Sequence, residues 1–174
     1  MANLPNINRA LELCARITDR AVRNARFLRF LRSVLPSIES EIELRDVHDS
    51  ADGGCHDKII AAGTRRVGST ALVAVAIETT SWSDARGGGG IGKRLHVVCF
   101  MRAADATTRH TSEIVETQPR IGGYRTEYTR LAKATLLRVV VHKGSPIAIK
   151  FFQNGEQLGS LRVMRAPGPD FAPG

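Results

Sequence analysis

Aromatic residues are scarce in this chain: six Phe, two Tyr and one Trp make up 5% of 174 residues. So few rings exclude an extended stacking platform of the kind that reads single-stranded RNA base by base. Cysteine is equally sparse. Cys14, Cys55 and Cys99 are odd in number, far apart and form no CxxC pair. They do not read as a disulfide framework, and they point to a reducing, cytoplasmic compartment. Lysine is absent before Lys58. No apolar run approaches the length of a membrane-spanning helix. Arg9, Glu12 and Arg16 interrupt the stretch where a secretory leader would be apolar. Residue 2 is Ala, so the myristoylation pattern is missing, and no prenylation box is present. Membrane contact is therefore expected to be peripheral and electrostatic.

What is present is the make-up of one globular domain. Hydrophobic residues reach 43% and charged residues 24%, too apolar for a disordered chain and enough for a core without metals or disulfides. The net charge of +8 is segregated: residues 1–38 carry +5, residues 39–92 carry −4 and residues 93–174 carry +7. Segregation of this kind suggests a basic face for a polyanion. The competing explanation is that the acidic middle packs against the basic ends and neutralises them.

Pro5 with Asn6 or Asn8 marks a helix start. At 100° per residue, Ala10, Cys14, Ile17, Ala21, Ala25 and Leu28 share one face, and Arg9, Arg16, Arg20 and Arg23 form a ridge on the other. This predicts an amphipathic helix over residues 8–26. Beyond it the pattern rolls over: Phe27, Phe30 and Val34 land on the charged face, with Arg29 and Arg32 on the apolar one. Either the helix breaks near 26 or a second contact surface starts there. On an isolated helix those three residues form an exposed apolar patch rimmed by arginine, an expected self-association surface.

The remainder reads mainly as strand. Residues 41–47 alternate, and residues 48–57 read as a polar loop. Ala71–Ile77 suits a buried central strand, residues 81–93 a Gly-rich loop, and Leu95–Met101 a second buried strand. Leu136–His142 and Ile147–Phe152 are strands, and Asn154-Gly155 predicts a hairpin into Gln157–Met164. Residues 165–174 form a Pro/Gly-rich tail. The fold class expected is α+β: an N-terminal helical arm (1–36), a β-rich core (37–164) with a mainly antiparallel sheet or sandwich, and the tail (165–174), all one domain.

Three motifs carry potential chemistry. Gly87–Lys93 reads G-G-G-G-I-G-K, but Arg94 stands where a P-loop needs Ser or Thr, and a β-branched run follows where a helix is required. The loop's Lys93 and Arg94 fit a phosphate contact instead. His48, Cys55 and His56 are metal-ligand types crowded into the 48–57 segment, yet their spacing matches no zinc pattern. Tyr128–Leu131 fits a sorting-type YxxΦ tetrapeptide, a pattern that is frequent by chance. No nucleophile elbow, zincin helix, zinc finger or RNP box occurs.

The arginines carry most of the signal. A planar guanidinium fork suits phosphate, so Arg9, Arg16, Arg20, Arg23, Arg26, Lys93 and Arg94 are the expected polyanion contacts. The expectation is a non-catalytic, cofactor-free structural or assembly protein. It self-associates and meets a nucleic-acid backbone or an anionic membrane surface, as viral matrix- or capsid-associated proteins do; such a protein is cytoplasmic, in a virion or membrane-peripheral. The alternatives are a stand-alone, sequence-tolerant RNA- or DNA-binding accessory protein, and a small metal-dependent enzyme using the 48–57 segment.

Overall fold

A computed structural model describes residues 3–49, 53–83, 90–104, 107–114, 128–130, 136–142 and 147–163. Three helices come first: α1 (Leu4–Cys14), α2 (Arg20–Leu31) and α3 (Ile38–Glu41). An antiparallel five-stranded sheet follows in sequence order, β1 (Asp46–Asp49), β2 (Gly53–Val67), β3 (Thr70–Trp82), β4 (Ile91–Arg102) and β5 (Thr107–Ile114). A second antiparallel sheet runs β6 (Tyr128–Arg130), β7 (Leu136–His142), β8 (Ile147–Gln153) and β9 (Glu156–Val163). The fold is α+β, as the composition and patterning predict. Among the described residues no helix is long and apolar enough to cross a membrane.

The layers are helices, first sheet, second sheet, and β3 explains why. Its side chains alternate between two cores. Val73, Val75 and Ile77 join Phe27, Leu31, Leu35 and Ile38 of the helical layer. Leu72, Ala74 and Ala76 join Ile147, Ile149, Phe151 and Leu161 of the second sheet. A strand covered on both faces needs no polar alternation, and this is the physical content of the unbroken Ala71–Ile77 run. The Asn154-Gly155 turn forms as predicted, with both residues at positive φ (51° and 85°), the conformation a two-residue hairpin requires.

The single helix expected over 8–26 is instead two. Ala15–Asp19 separates them, and the Asp19 carboxylate accepts from Val22 N–H at 2.8 Å, capping α2. The restart resets the helical phase. α1 buries Ile7, Leu11 and Cys14, whereas α2 buries Arg23, Asn24, Phe27 and Leu31. Ala21 and Ala25, expected inside, are exposed. The rollover after residue 26 thus records a break that had already occurred at 15–19. The helical layer also continues past residue 36, since Ile38 of α3 is fully buried.

Two polar expectations change as well. Of the segment 48–57, expected as a loop, residues 48–49 and 53–57 lie in the paired strands β1 and β2, with Asp46 opposite His56 and His48 opposite Gly54. The Gly-rich loop is shorter than 81–93, because β3 runs to Trp82 and β4 begins at Ile91. The tail and Leu131 lie outside the described residues.

The helices are fastened to the sheet's edge by two asparagines. Asn24 Nδ2 donates to Asp57 O (3.1 Å) and its Oδ1 accepts from Ile59 N–H (2.8 Å). Asn8 Nδ2 donates to Thr64 O and its Oδ1 accepts from Thr64 N–H, both at 2.9 Å. Each side-chain amide stands in for a neighbouring strand, satisfying outward backbone groups of β2 beyond the end of β1. Asn24→Ala is expected to cost about 2 kcal/mol in urea denaturation, because it orphans a buried donor and a buried acceptor together. A loss within error would show that water replaces the amide.

Candidate polyanion interface

The arginines of the helical layer fall into three groups. Arg23 is buried, 7% exposed, and its Nε donates to the Ile17 carbonyl. Burial lowers its pKa, opposed by the charges of Glu78 and Cys14. It therefore leaves the expected outer ridge and serves inside the fold. Arg9, Arg20 and Arg32 are paired: Arg9 with Glu12 (3.3 Å), Arg20 with Asp46 (2.7 Å) and Arg32 with Glu39. The last two confirm that the acidic middle segment neutralises part of the basic helices. Arg16, Arg26 and Arg29 are exposed and have no acidic partner among the described residues. Arg26 and Arg29 stand three residues apart on α2, so their side chains project side by side.

The expected self-association patch is not on the surface. Phe27 is fully buried, Val34 nearly so, and Phe30 packs partly buried against the same core. The restart at Asp19 turns Phe27 inward, and the first sheet supplies the covering that an isolated helix would lack. Among the described residues, the large apolar side chains that are exposed are Leu13, Val22, Val47 and Ile91.

Lys93 and Arg94 sit in β4, exposed, near its junction with the Gly-rich loop. Lys93 Nζ lies 3.8 Å from Glu78 Oε1. A strand beginning at Ile91, not a helix, follows the glycines, so the P-loop geometry is absent.

His48, Cys55 and His56 do not converge as ligands. Cys55 projects to the face opposite His56 along β2, and no group of three or more His, Cys, Asp or Glu that could hold a metal occurs among the described residues. Both histidines instead flank Trp82, with ring centroids 5.4 Å and 5.6 Å away. All three cysteines are free thiols. Burial raises the Cys14 thiol, opposed by Arg26 and Arg23, and burial alone pushes Cys99 far up, so neither offers a thiolate.

One polar network went unread in the sequence. Asp57 is buried on β2 and accepts from Arg45 N–H (2.8 Å), Arg45 Nε (3.1 Å) and Thr79 Oγ1 (2.6 Å), with Arg45 Nη2 at 3.2 Å. Burial raises its pKa, but the bonds from Arg45, Thr79 and the Arg45 backbone outweigh it, so the carboxyl lies below its ordinary range. Arg45 is raised in return, chiefly by that hydrogen bond. The network borders a cavity of about 140 Å³ also lined by His96, whose buried Nε2 has no partner among the described residues. With Asp57 fully engaged, its role is to pin segment 42–45 to the sheet. An Asp twelve residues after an Arg is the only trace of it in the sequence.

No protein-family model, curated protein or solved structure matches the chain.

Proposed function

We propose that the chain is a non-catalytic, basic assembly protein that holds a nucleic-acid backbone, a role of the kind matrix- and capsid-associated proteins perform. The observation that carries this reading is the division among the arginines. Acids on the same chain neutralise Arg20 and Arg32, while Arg26 and Arg29 point outward together with Arg16, leaving guanidinium forks for phosphate. The net charge of +8 supports it. Self-association, if it accompanies binding, runs through surfaces other than Phe27 and Val34.

The test is Arg26→Glu with Arg29→Glu, measured by fluorescence anisotropy on a generic RNA across a salt series, with light scattering for assembly. The expected result is at least a tenfold loss of affinity and a salt slope smaller by about 2, one per phosphate contact removed. Unchanged affinity and slope would move the interface to the basic C-terminal half. A second reading, an anionic membrane surface, draws on Leu13 and Val22, both about half exposed on the same two helices. Vesicles containing phosphatidylserine that bind where RNA does not would select it.

A further inference from the structure

The ends of β1, β2, β3 and β4 meet in register and bring together side chains that are distant in sequence. Trp82 opposes Gly54 on β2 and Ile91 on β4. His48 opposes the same Gly54 from β1, and His56 lies two residues further along β2. The indole spreads over Gly54, where an added Cβ would come within 2.5 Å of the Trp82 Cζ2 atom. Glycine therefore leaves room for the ring to lie against the strand, and the two imidazoles lean on it at interplanar angles of 46° and 50°. The three rings form a shallow cluster with a half-buried indole, bordered by Ile91, which is 76% exposed.

A cationic step adjoins the rings on the same face. Lys58 opposes Glu78, and Lys93 opposes Thr80, whose other partner is His56. Lys93 reaches Glu78, and the charges of Arg23 and Lys58 also bear on it, so three cations share one carboxylate. Asp46, opposite His56, is held by Arg20. Lys58 is driven below its ordinary pKa by burial first and then by Arg23 and Lys93, against the pull of Glu78. An anion placed here would relieve that repulsion.

We infer that this strand tip is a subsite for one nucleotide of a single-stranded nucleic acid, with the base on the Trp82 ring cluster and its phosphate at Lys58 and Lys93. Rings alone would suit a sugar, and cations alone any polyanion. Their adjacency favours a ligand that alternates planar bases with phosphates. The inference rests on the nucleic-acid reading above and narrows it.

Trp82 is the sole tryptophan, so tryptophan emission, excited beyond the absorption of the two tyrosines, reports on this site alone. The experiment titrates the full chain at low salt with a thymidine 12-mer, with polyphosphate and with a neutral oligosaccharide, beside anisotropy of labelled 12-mer. Saturable quenching by the 12-mer alone is expected. Trp82→Ala, and separately Lys58→Gln with Lys93→Gln, should each weaken the 12-mer about tenfold, with circular dichroism showing the fold intact. Should Trp82→Ala unfold, the wild-type quench and the lysine pair still decide the matter. Binding of the 12-mer with no change at Trp82 and none in the lysine variant would overturn the subsite and leave the polyanion reading standing. Equal quenching by polyphosphate, or quenching by the oligosaccharide, would overturn it also. Binding of neither polyphosphate nor the 12-mer would end both readings.

Discussion

Phe27→Asp should abolish the folded state in buffer at 25 °C. Phe27 is fully buried at the junction of α2 with the first sheet, in one core with Leu31, Leu35, Val73 and Val75. Losing such a ring costs about 3–5 kcal/mol in similar sites. Placing a carboxylate there without a partner adds several more. Together these match the 5–15 kcal/mol or so that holds a typical domain. Far-UV circular dichroism and a urea titration read the result. Val22→Asp, on the exposed side of the same helix, is the control and should move stability by no more than about 0.5 kcal/mol. A cooperative urea transition for Phe27→Asp near the wild-type midpoint would mean that α2 does not pack on the sheet by this face. Phe30→Asp should be milder than Phe27→Asp, because Phe30 is only partly buried.

Asp57→Asn should lower stability by about 2 kcal/mol at pH 7, below the 3–5 kcal/mol typical of breaking a fully buried pair because Arg45 is half exposed and keeps its water. The substitution should also change how stability follows pH. In the folded chain the Asp57 carboxyl sits below its ordinary range, whereas in the unfolded chain it titrates near about 3.9. A depressed folded pKa contributes stability that is fully present above the unfolded value and is lost as pH falls through the folded one. Wild-type urea midpoints should therefore fall below about pH 4, and the Asp57→Asn curve should be flatter across that window. Parallel curves would place the acid sensitivity elsewhere, and Thr79→Val, which removes one donor to the carboxylate, would then also leave the pH profile unchanged.

How much of this was legible in the sequence depends on the range of the interactions that decide each element. Ala71–Ile77, Leu95–Met101, Leu136–His142 and the Asn154-Gly155 turn were readable, because an apolar run or a positive-φ pair is a local signal. The periodicity points to a helix break near residue 26, whereas the true break, at 15–19, is signalled only by Asp19, a residue type that caps helices. An unbroken 100° projection hid it, and that one omission placed Arg23 outside and Phe27 at the surface. The β1–β2 hairpin escaped because its residues are polar and its pairing is fixed by neighbours in the sheet. In the candidate site, the surface arginines were visible by type, but which of them are neutralised depends on contacts such as Arg20 with Asp46, 26 residues away. The Trp82 cluster joins residues from three strands, so no spacing rule announces it.

The bulge in β2 ties the helical layer to strand length. Ile59 pairs with Ile77 and Ala61 with Ala76, so Ile60 is one residue more than β3 has opposite it. Before the bulge, the odd-numbered Asp57 and Ile59 turn backbone groups outward to Asn24; after it, the even-numbered Thr64 does so to Asn8. Deleting Ile60 would restore simple alternation with the groups of Thr64 still facing Asn8, whereas inserting one residue between Ile59 and Thr64 would turn them away. In lineages descended from this chain, single-residue insertions between Ile59 and Thr64 should therefore be purged, whereas point substitutions of Ile60 that keep its bulk should pass freely.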